Sequence, residues 1–200
     1  MTVSRWSAAS PGRRRGPELE RAILDAALEQ LGTVGWNSLT MEGVAAGAHT
    51  GKAALYRRWP SKADLVAEAL RTRLPPLGQI EDSGSIREDL YALCVRMREV
   101  MYSRAGQALR AVLHECDHVN ADRFRGLIWS GLHEPAHRLI GELLRRGIGR
   151  GDVRADATDP LLVDVIPALM MYRTKVCGSE WEEAEIAEMI DGVMVPLLRA

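Results

Sequence analysis

Cysteine is scarce here and has no obvious partner. The three cysteines among 200 residues, Cys94, Cys116 and Cys177, are odd in number, widely separated and never in a C-x-x-C arrangement. That excludes a disulfide framework and fits a reducing compartment. No apolar run approaches the roughly 20 residues that span a bilayer. The amino terminus is rich in Ser, Arg and Pro and has no apolar stretch, so neither a membrane span nor a signal segment is expected, and the chain reads as cytoplasmic. An alternating strand pattern is missing as well. So are a glycine-rich phosphate loop, a Ser/His/Asp spacing and a paired-carboxylate pattern, which leaves catalysis little support.

The charge is near neutral overall but unevenly divided. Residues 1–73 hold eleven Lys/Arg against seven Asp/Glu, net +4, and residues 74–200 hold fifteen against twenty, net −5. A basic end on an acidic body suits a protein that touches a polyanion with one end only. The length accommodates a small module plus one larger domain.

The basic end carries the most informative stretch, residues 39–65. Thr40 is a good N-cap with Gly43 at N3, and Met41, Val44, Ala45 and Ala48 form an apolar helical face, so residues 40–47 read as one short helix. Gly47 to Gly51 can reverse the chain before a second helix over residues 52–59. That is helix-turn-helix spacing. In the second helix Leu55 and Trp59 point inward and Lys52, Ala53, Tyr56 and Arg57 outward. Long cations and a phenol reach phosphates, while a small alanine lets a helix approach base edges and thymine methyls. Pro60 ends this helix, and Ser61 caps the next with Asp64 at N3.

Upstream, residues 17–34 show a helical pattern that begins at Pro17 and stops at Gly35, with Trp36 and Leu39 closing a small core. Residues 1–16 read as a disordered basic arm. Its Arg13, Arg14 and Arg15 suit a minor groove, but a solvated tail is the preferred reading. Pro75, Pro76 and Gly78 mark a boundary. The organisation expected is therefore an arm at 1–16, a helix-turn-helix domain at 17–74 and a helical domain at 75–200.

At these residues the chain resembles the amino-terminal domain of the TetR family of transcriptional repressors. ILDAAL, the approach from Gly35 to Thr40, VAA, and K-x-x-LYRRW-PSK-x-x-L all fall in family order across about residues 20–70. His49 stands where the family usually has Gly, and Gly51 where it often has Ser. His is among the residues enriched at positive φ, so the turn survives. The resemblance implies an all-α homodimer whose body binds an effector and controls a reader of double-stranded operator DNA. The residues expected on DNA are Thr40, Thr50, Gly51, Lys52, Ala53, Tyr56, Arg57, Arg58 and Lys62. Lys52, Tyr56 and Lys62 are assigned to phosphates, and Thr50, Ala53 and Arg57 to base preference.

The body shows helical segments near residues 86–102, 106–116, 121–147, 159–177 and 182–198. The last two carry more apolar surface than one core face needs. By the resemblance they supply the dimer interface, with Leu162, Ile166, Leu169, Ile186, Ile190, Val193 and Leu197 as its expected residues. Met97, Met101, Trp129 and Met170 by themselves read more often as core, but the resemblance implies a small-molecule effector pocket between these helices, expected at Met97, Met101, Trp129, His133 and Met170, where adaptable Met side chains suit an apolar ligand.

Two segments, His114 to His118 and His133 to His137, match H-E-x-x-H, in which two His one turn apart bind metal and Glu is the base. A metal-dependent enzyme built on them is the alternative from another class. Pro135 inside the second copy, the lack of a third ligand at protease spacing and a helix end expected near His118 all weigh against it. A softer alternative joins these four histidines with Glu115, Cys116 and Asp117 in a metal or polar effector site. Ordinary, partly exposed histidines are the preferred reading, so no metal, cofactor or catalytic residue is expected.

Overall fold

The computed structural model describes residues 15–116, 118–178 and 180–199, the side chains of residues 118, 119 and 121 excepted. Arg13 and Arg14 of the expected arm lie outside these residues. The described residues form helices joined by turns, with no strand among them.

The first helix, α1 (Gly16–Ser38), has Pro17 in its first turn, where a missing N–H is tolerated, and buries Ile23, Leu24, Ala27, Leu28 and Leu31. Gly35 interrupts it with φ 76° and ψ 176°, and one further turn swings Trp36 into the core. The conformation requires glycine there, and an added Cβ, 2.4 Å from a carboxylate oxygen of Glu115, would also push that side chain aside.

Three shorter helices follow, α2 (Met41–Gly47), α3 (Lys52–Tyr56) and α4 (Lys62–Arg73). The Thr40 side chain accepts from Gly43 N at 3.1 Å, and the Ser61 hydroxyl accepts from Asp64 N at 3.2 Å, as their positions predict. His49 takes φ 54°. The helix expected over 52–59 is regular only to Tyr56, and a final turn, Trp59 N to Leu55 O at 2.8 Å, carries it to Pro60.

The body comprises α5 (Ile86–Tyr102), α6 (Arg104–Glu115), α7 (His118–Ile128), α8 (Glu134–Arg150), α9 (Pro160–Lys175), α10 (Glu183–Met189) and α11 (Val195–Leu198). A π turn, Trp129–His133, fuses α7 to α8, and another, Ile190–Met194, fuses α10 to α11. Each has a proline just beyond it, Pro135 and Pro196. A proline inside a helix lacks an N–H and crowds the carbonyl four residues back. Here the residue before each proline donates to a carbonyl five residues back, Glu134 to Trp129 and Val195 to Ile190, and the widened turn lets the helix run on. Pro135 therefore does not break the second H-E-x-x-H segment, as its sequence suggested it would.

Two cores hold the chain together. One contains the apolar faces of α1 to α4, and the other collects α5, α8, α9, α10 and α11. The sequence places α6 with the body, yet Ala105, Ala108, Leu109 and Val112 belong to the first core, as does Phe124 of α7. Phe124 meets Trp36 edge to face at 5.3 Å. α6 and α7 are thus a pedestal under the reader, and Leu74 and Leu132 touch both cores.

Four of the seven expected dimer residues turn inward. Leu162, Ile166, Ile186 and Ile190 are buried inside this single chain, and only Leu169 and Val193 are partly exposed and Leu197 well exposed. Both α9 and the last helical segment are apolar on more than one face, so periodicity alone did not say which face turns inward. The outward apolar stripe of α9 is Leu161, the half-buried Val165, Ala168, Tyr172 and, at its C-cap, Val176, with Leu161 71% and Val176 68% exposed.

Candidate nucleic-acid interface

α3 is seated by its two apolar side chains. Leu55 and Trp59 are buried, and the Trp59 indole N–H donates to Glu68 at 3.0 Å. With that face fixed to α4, residues 52, 53, 56 and 57 point outward, and Lys52, Ala53, Tyr56 and Arg57 are all exposed. Gly51 is the N-cap of α3, Thr50 is half-buried at the turn, and its N–H donates to Ala45 O at 2.9 Å. The Thr40 hydroxyl caps α2, and its backbone N–H donates to Gln30 Oε1 at 3.3 Å.

The cations are less free than their spacing suggests. Lys52 pairs with Glu42 and Arg58 with Glu20. Glu42 titrates below its usual range because Lys52 hydrogen-bonds to it. Lys62 differs most from a free phosphate contact. Its ammonium donates to the carbonyls of Trp36 at 2.8 Å and Leu39 at 3.4 Å, and sits 4.6 Å from the centre of the Trp36 ring. It closes the open carbonyls after the Gly35 break, a role no local sequence signal announced. Arg57 is the exposed cation of α3 with no carboxylate partner among the described residues.

Under the reader, α4 and α7 enclose a cleft of about 450 Å³. Arg58, Trp59, Asp64, Arg71, Arg123 and Leu127 line it, and Arg123 bridges to Asp64 at 2.7 Å. The Asp64 carboxyl is held below its usual range, first by the Ser61 hydroxyl and then by Arg123. A second cleft, about 280 Å³, lies between Tyr102, Arg110, His114, Thr174 and Lys175. Neither contains Met97, Met101, Trp129, His133 or Met170. Met170 is buried in the body core with Met97 and Met101 packed against that core, while Trp129 is 61% exposed and its ring lies against His133.

The first H-E-x-x-H copy is not a helical motif. Cys116 leaves the helix with ψ 146°, so His114 and His118 fall on different helices, and Asp117 lies outside the described residues. Glu115 instead accepts the backbone N–H of Asn37 at 3.1 Å.

A family model described as "Bacterial regulatory proteins, tetR family" matches residues 23–69, and one described as "Tetracyclin repressor-like, C-terminal domain" matches residues 80–193. A relative from Mycobacteroides abscessus named "DNA-binding transcriptional repressor TetR" is 31% identical over 193 residues, spanning 92% of this chain and 96% of the relative. The chain belongs to the TetR family. It is a DNA-binding transcriptional regulator of repressor type rather than an enzyme, so the metal-dependent enzyme alternative is set aside.

Solved TetR-type structures share the fold at low identity. Native NalD, described as the secondary repressor of the MexAB-OprM multidrug efflux pump in Pseudomonas aeruginosa, superposes with a TM-score of 0.67 at 18% identity over 92% of this chain and 98% of NalD. The fatty acid degradation regulator FadR from Bacillus halodurans gives 0.65 at 15% identity over 92% and 97%. No helix among the described residues is long and apolar enough to cross a membrane.

Proposed function

We propose that this TetR-family regulator works as a homodimer that binds a palindromic operator through α3 and is released when a small molecule binds the body. The observation that carries the DNA half is the outward face of α3, where Ala53, Tyr56 and Arg57 are exposed over a buried Leu55 and Trp59. Arg57 and Thr50 are the residues proposed for base edges, and Lys52, Tyr56 and Arg58 for phosphates. Lys52 and Arg58 would exchange their carboxylate partners for phosphates, a low-cost exchange because exposed ion pairs are worth only about 0–1 kcal/mol. Two-fold symmetry would place the two α3 helices about 34–36 Å apart, one turn of DNA.

For the effector, the cleft between α4 and α7 is the better site, because Arg58, Trp59 and Asp64 belong to the reader's end and Arg123 and Leu127 to the body. A ligand there that breaks the Asp64–Arg123 bridge changes how the reader sits on its pedestal. A tenfold loss of operator affinity needs only about 1.4 kcal/mol of differential binding between the two states.

The test is operator selection from random duplex DNA with the full chain, followed by a gel-shift titration and light scattering. A two-fold symmetric consensus, a dimer at micromolar concentration and loss of the consensus in Arg57→Ala are expected. A monomer, or an unselective Arg57-independent complex, would overturn the reading.

A further inference from the structure

The second H-E-x-x-H copy has a geometry that its DNA-binding role does not use. The π turn ends at His133, so His133 and His137 share one side of the fused α7–α8 helix, and their rings stack with centroids 4.3 Å apart. Asp164, from the first turns of α9, reaches across, and its Oδ1 lies 2.5 Å from His137 Nε2. One ligand atom from each of the three residues can be chosen so that all lie within 4.8 Å of one another. The third ligand that the sequence lacked at protease spacing comes from another helix, 27 residues beyond His137.

We propose that His133, His137 and Asp164 form a binding site for a borderline transition-metal dication, zinc or nickel by preference, that clamps α8 to α9. Two donors bound tetrahedrally to one such ion at about 2.1 Å lie roughly 3.4 Å apart. The His137–Asp164 hydrogen bond, 2.5 Å long, opens by only about an ångström to reach that separation, and a side-chain adjustment of His133 brings in the third donor. Two imidazoles and one carboxylate suit zinc, nickel, cobalt or ferrous iron. They do not favour magnesium or calcium, which take oxygen shells, or cuprous copper, which takes sulfur. The three residues are part-exposed, with His137 31% and Asp164 47% accessible, so an ion has an entry path and water completes its shell.

Glu134 plays no part in this arrangement. The site needs a metal to bridge two helices and needs no base, which separates it from the protease chemistry that the motif names. Asp164 immediately precedes Val165, the half-buried member of the α9 stripe, so an ion here fixes the register of that stripe on the body. The proposal does not depend on the DNA reading.

Trp129 supplies a built-in reporter, because its ring stacks on His133 with centroids 4.2 Å apart. The experiment uses tag-free full chain stripped by chelator and then titrated with zinc by calorimetry and with nickel by tryptophan fluorescence. One zinc per chain is expected, together with partial quenching by nickel that disappears in Trp129→Phe. His133→Ala leaves the His137–Asp164 pair intact but should weaken binding at least tenfold, as should His137→Ala. A double His114→Ala, His118→Ala variant should bind as the native chain does. Binding unchanged in His133→Ala, binding that follows His114 and His118 instead, or no saturable binding by zinc or nickel would each overturn the site. Far-ultraviolet circular dichroism of every variant separates lost ligands from lost fold.

Discussion

The carboxylate of Glu115, the last residue of α6, accepts the backbone N–H of Asn37 at 3.1 Å. Glu115 thereby fills the space left by Gly35, where α1 breaks and turns Trp36 into the core. The body holds the reader where the backbone takes a conformation that glycine alone adopts readily, so the reader and the body share one joint.

That joint makes Gly35→Ala costly. At φ 76° and ψ 176°, a region essentially confined to glycine, an alanine costs about 1–3 kcal/mol from conformation alone. Its Cβ also displaces Glu115, though the far end of a flexible side chain gives way cheaply. Chemical denaturation should show a loss of about 1–3 kcal/mol. Glu115→Ala should cost less, about 1 kcal/mol, because it leaves one exposed N–H to water. Equal stability of Gly35→Ala and the native chain would remove the strain argument.

Lys62 and Arg57 should respond oppositely. Lys62 closes two carbonyls and covers the Trp36 ring, so Lys62→Ala should lower stability by about 1–2 kcal/mol. The salt dependence of DNA binding should hardly change. Arg57 is exposed and lacks a carboxylate partner, so Arg57→Ala should leave stability within about 0.5 kcal/mol. If Arg57 also neutralises a phosphate, the salt slope falls by about one. Melting curves and gel shifts between low and moderate salt decide both. A Lys62→Ala variant with native stability and a reduced slope would restore the phosphate assignment.

The reader was legible in the sequence because its signals are local. The Thr40 and Ser61 caps and the inward Leu55–Trp59 pair each follow from residues within one turn of one another, whereas positive φ at His49 was expected from the family resemblance, in which Gly usually stands there. What the sequence hid is relational. That Lys62 caps the end of α1, that Glu20 and Glu42 neutralise Arg58 and Lys52, and that Asp164 joins His137 are contacts between separate elements, with no spacing to announce them. α9 shows the same limit differently. Its residues are apolar on more than one face, so composition identified a helix with surface to spare, and only packing showed that Ile166 is inside and Leu161 outside.

Asp64 should make the reader's seat acid-sensitive. The Ser61 hydroxyl and then Arg123 hold its folded-state carboxyl below its usual range, so the folded chain binds that proton less readily than the unfolded one. Its stabilisation is complete above the unfolded value near 3.9 and is lost as pH falls through the lower folded value. The stability gap between the native chain and Asp64→Asn should therefore be level from neutral pH to about 5 and shrink below about 4. Urea titrations across that range test it, and a gap that widens on acidification contradicts the assignment.

The dimer proposal separates two residues five apart on α9. Leu161 is 71% exposed and Ile166 fully buried in the chain's own core. If the stripe of Leu161, Val165, Ala168, Tyr172 and Val176 meets its symmetry mate, Leu161→Asp leaves the folded protomer nearly untouched but buries an unpaired charge at the interface. Desolvating an unpaired carboxylate costs several kcal/mol. At about 1.4 kcal/mol per tenfold, dimer affinity falls at least a hundredfold. Ile166→Asp instead puts the charge into the core and should unfold the chain, so circular dichroism tells the two apart before light scattering is read. A folded, monomeric Leu161→Asp that has also lost operator affinity is the expected result, because one α3 alone holds only a half-site. A Leu161→Asp that stays dimeric would move the interface off the α9 stripe, with the partly exposed Val193 and exposed Leu197 the next face to test.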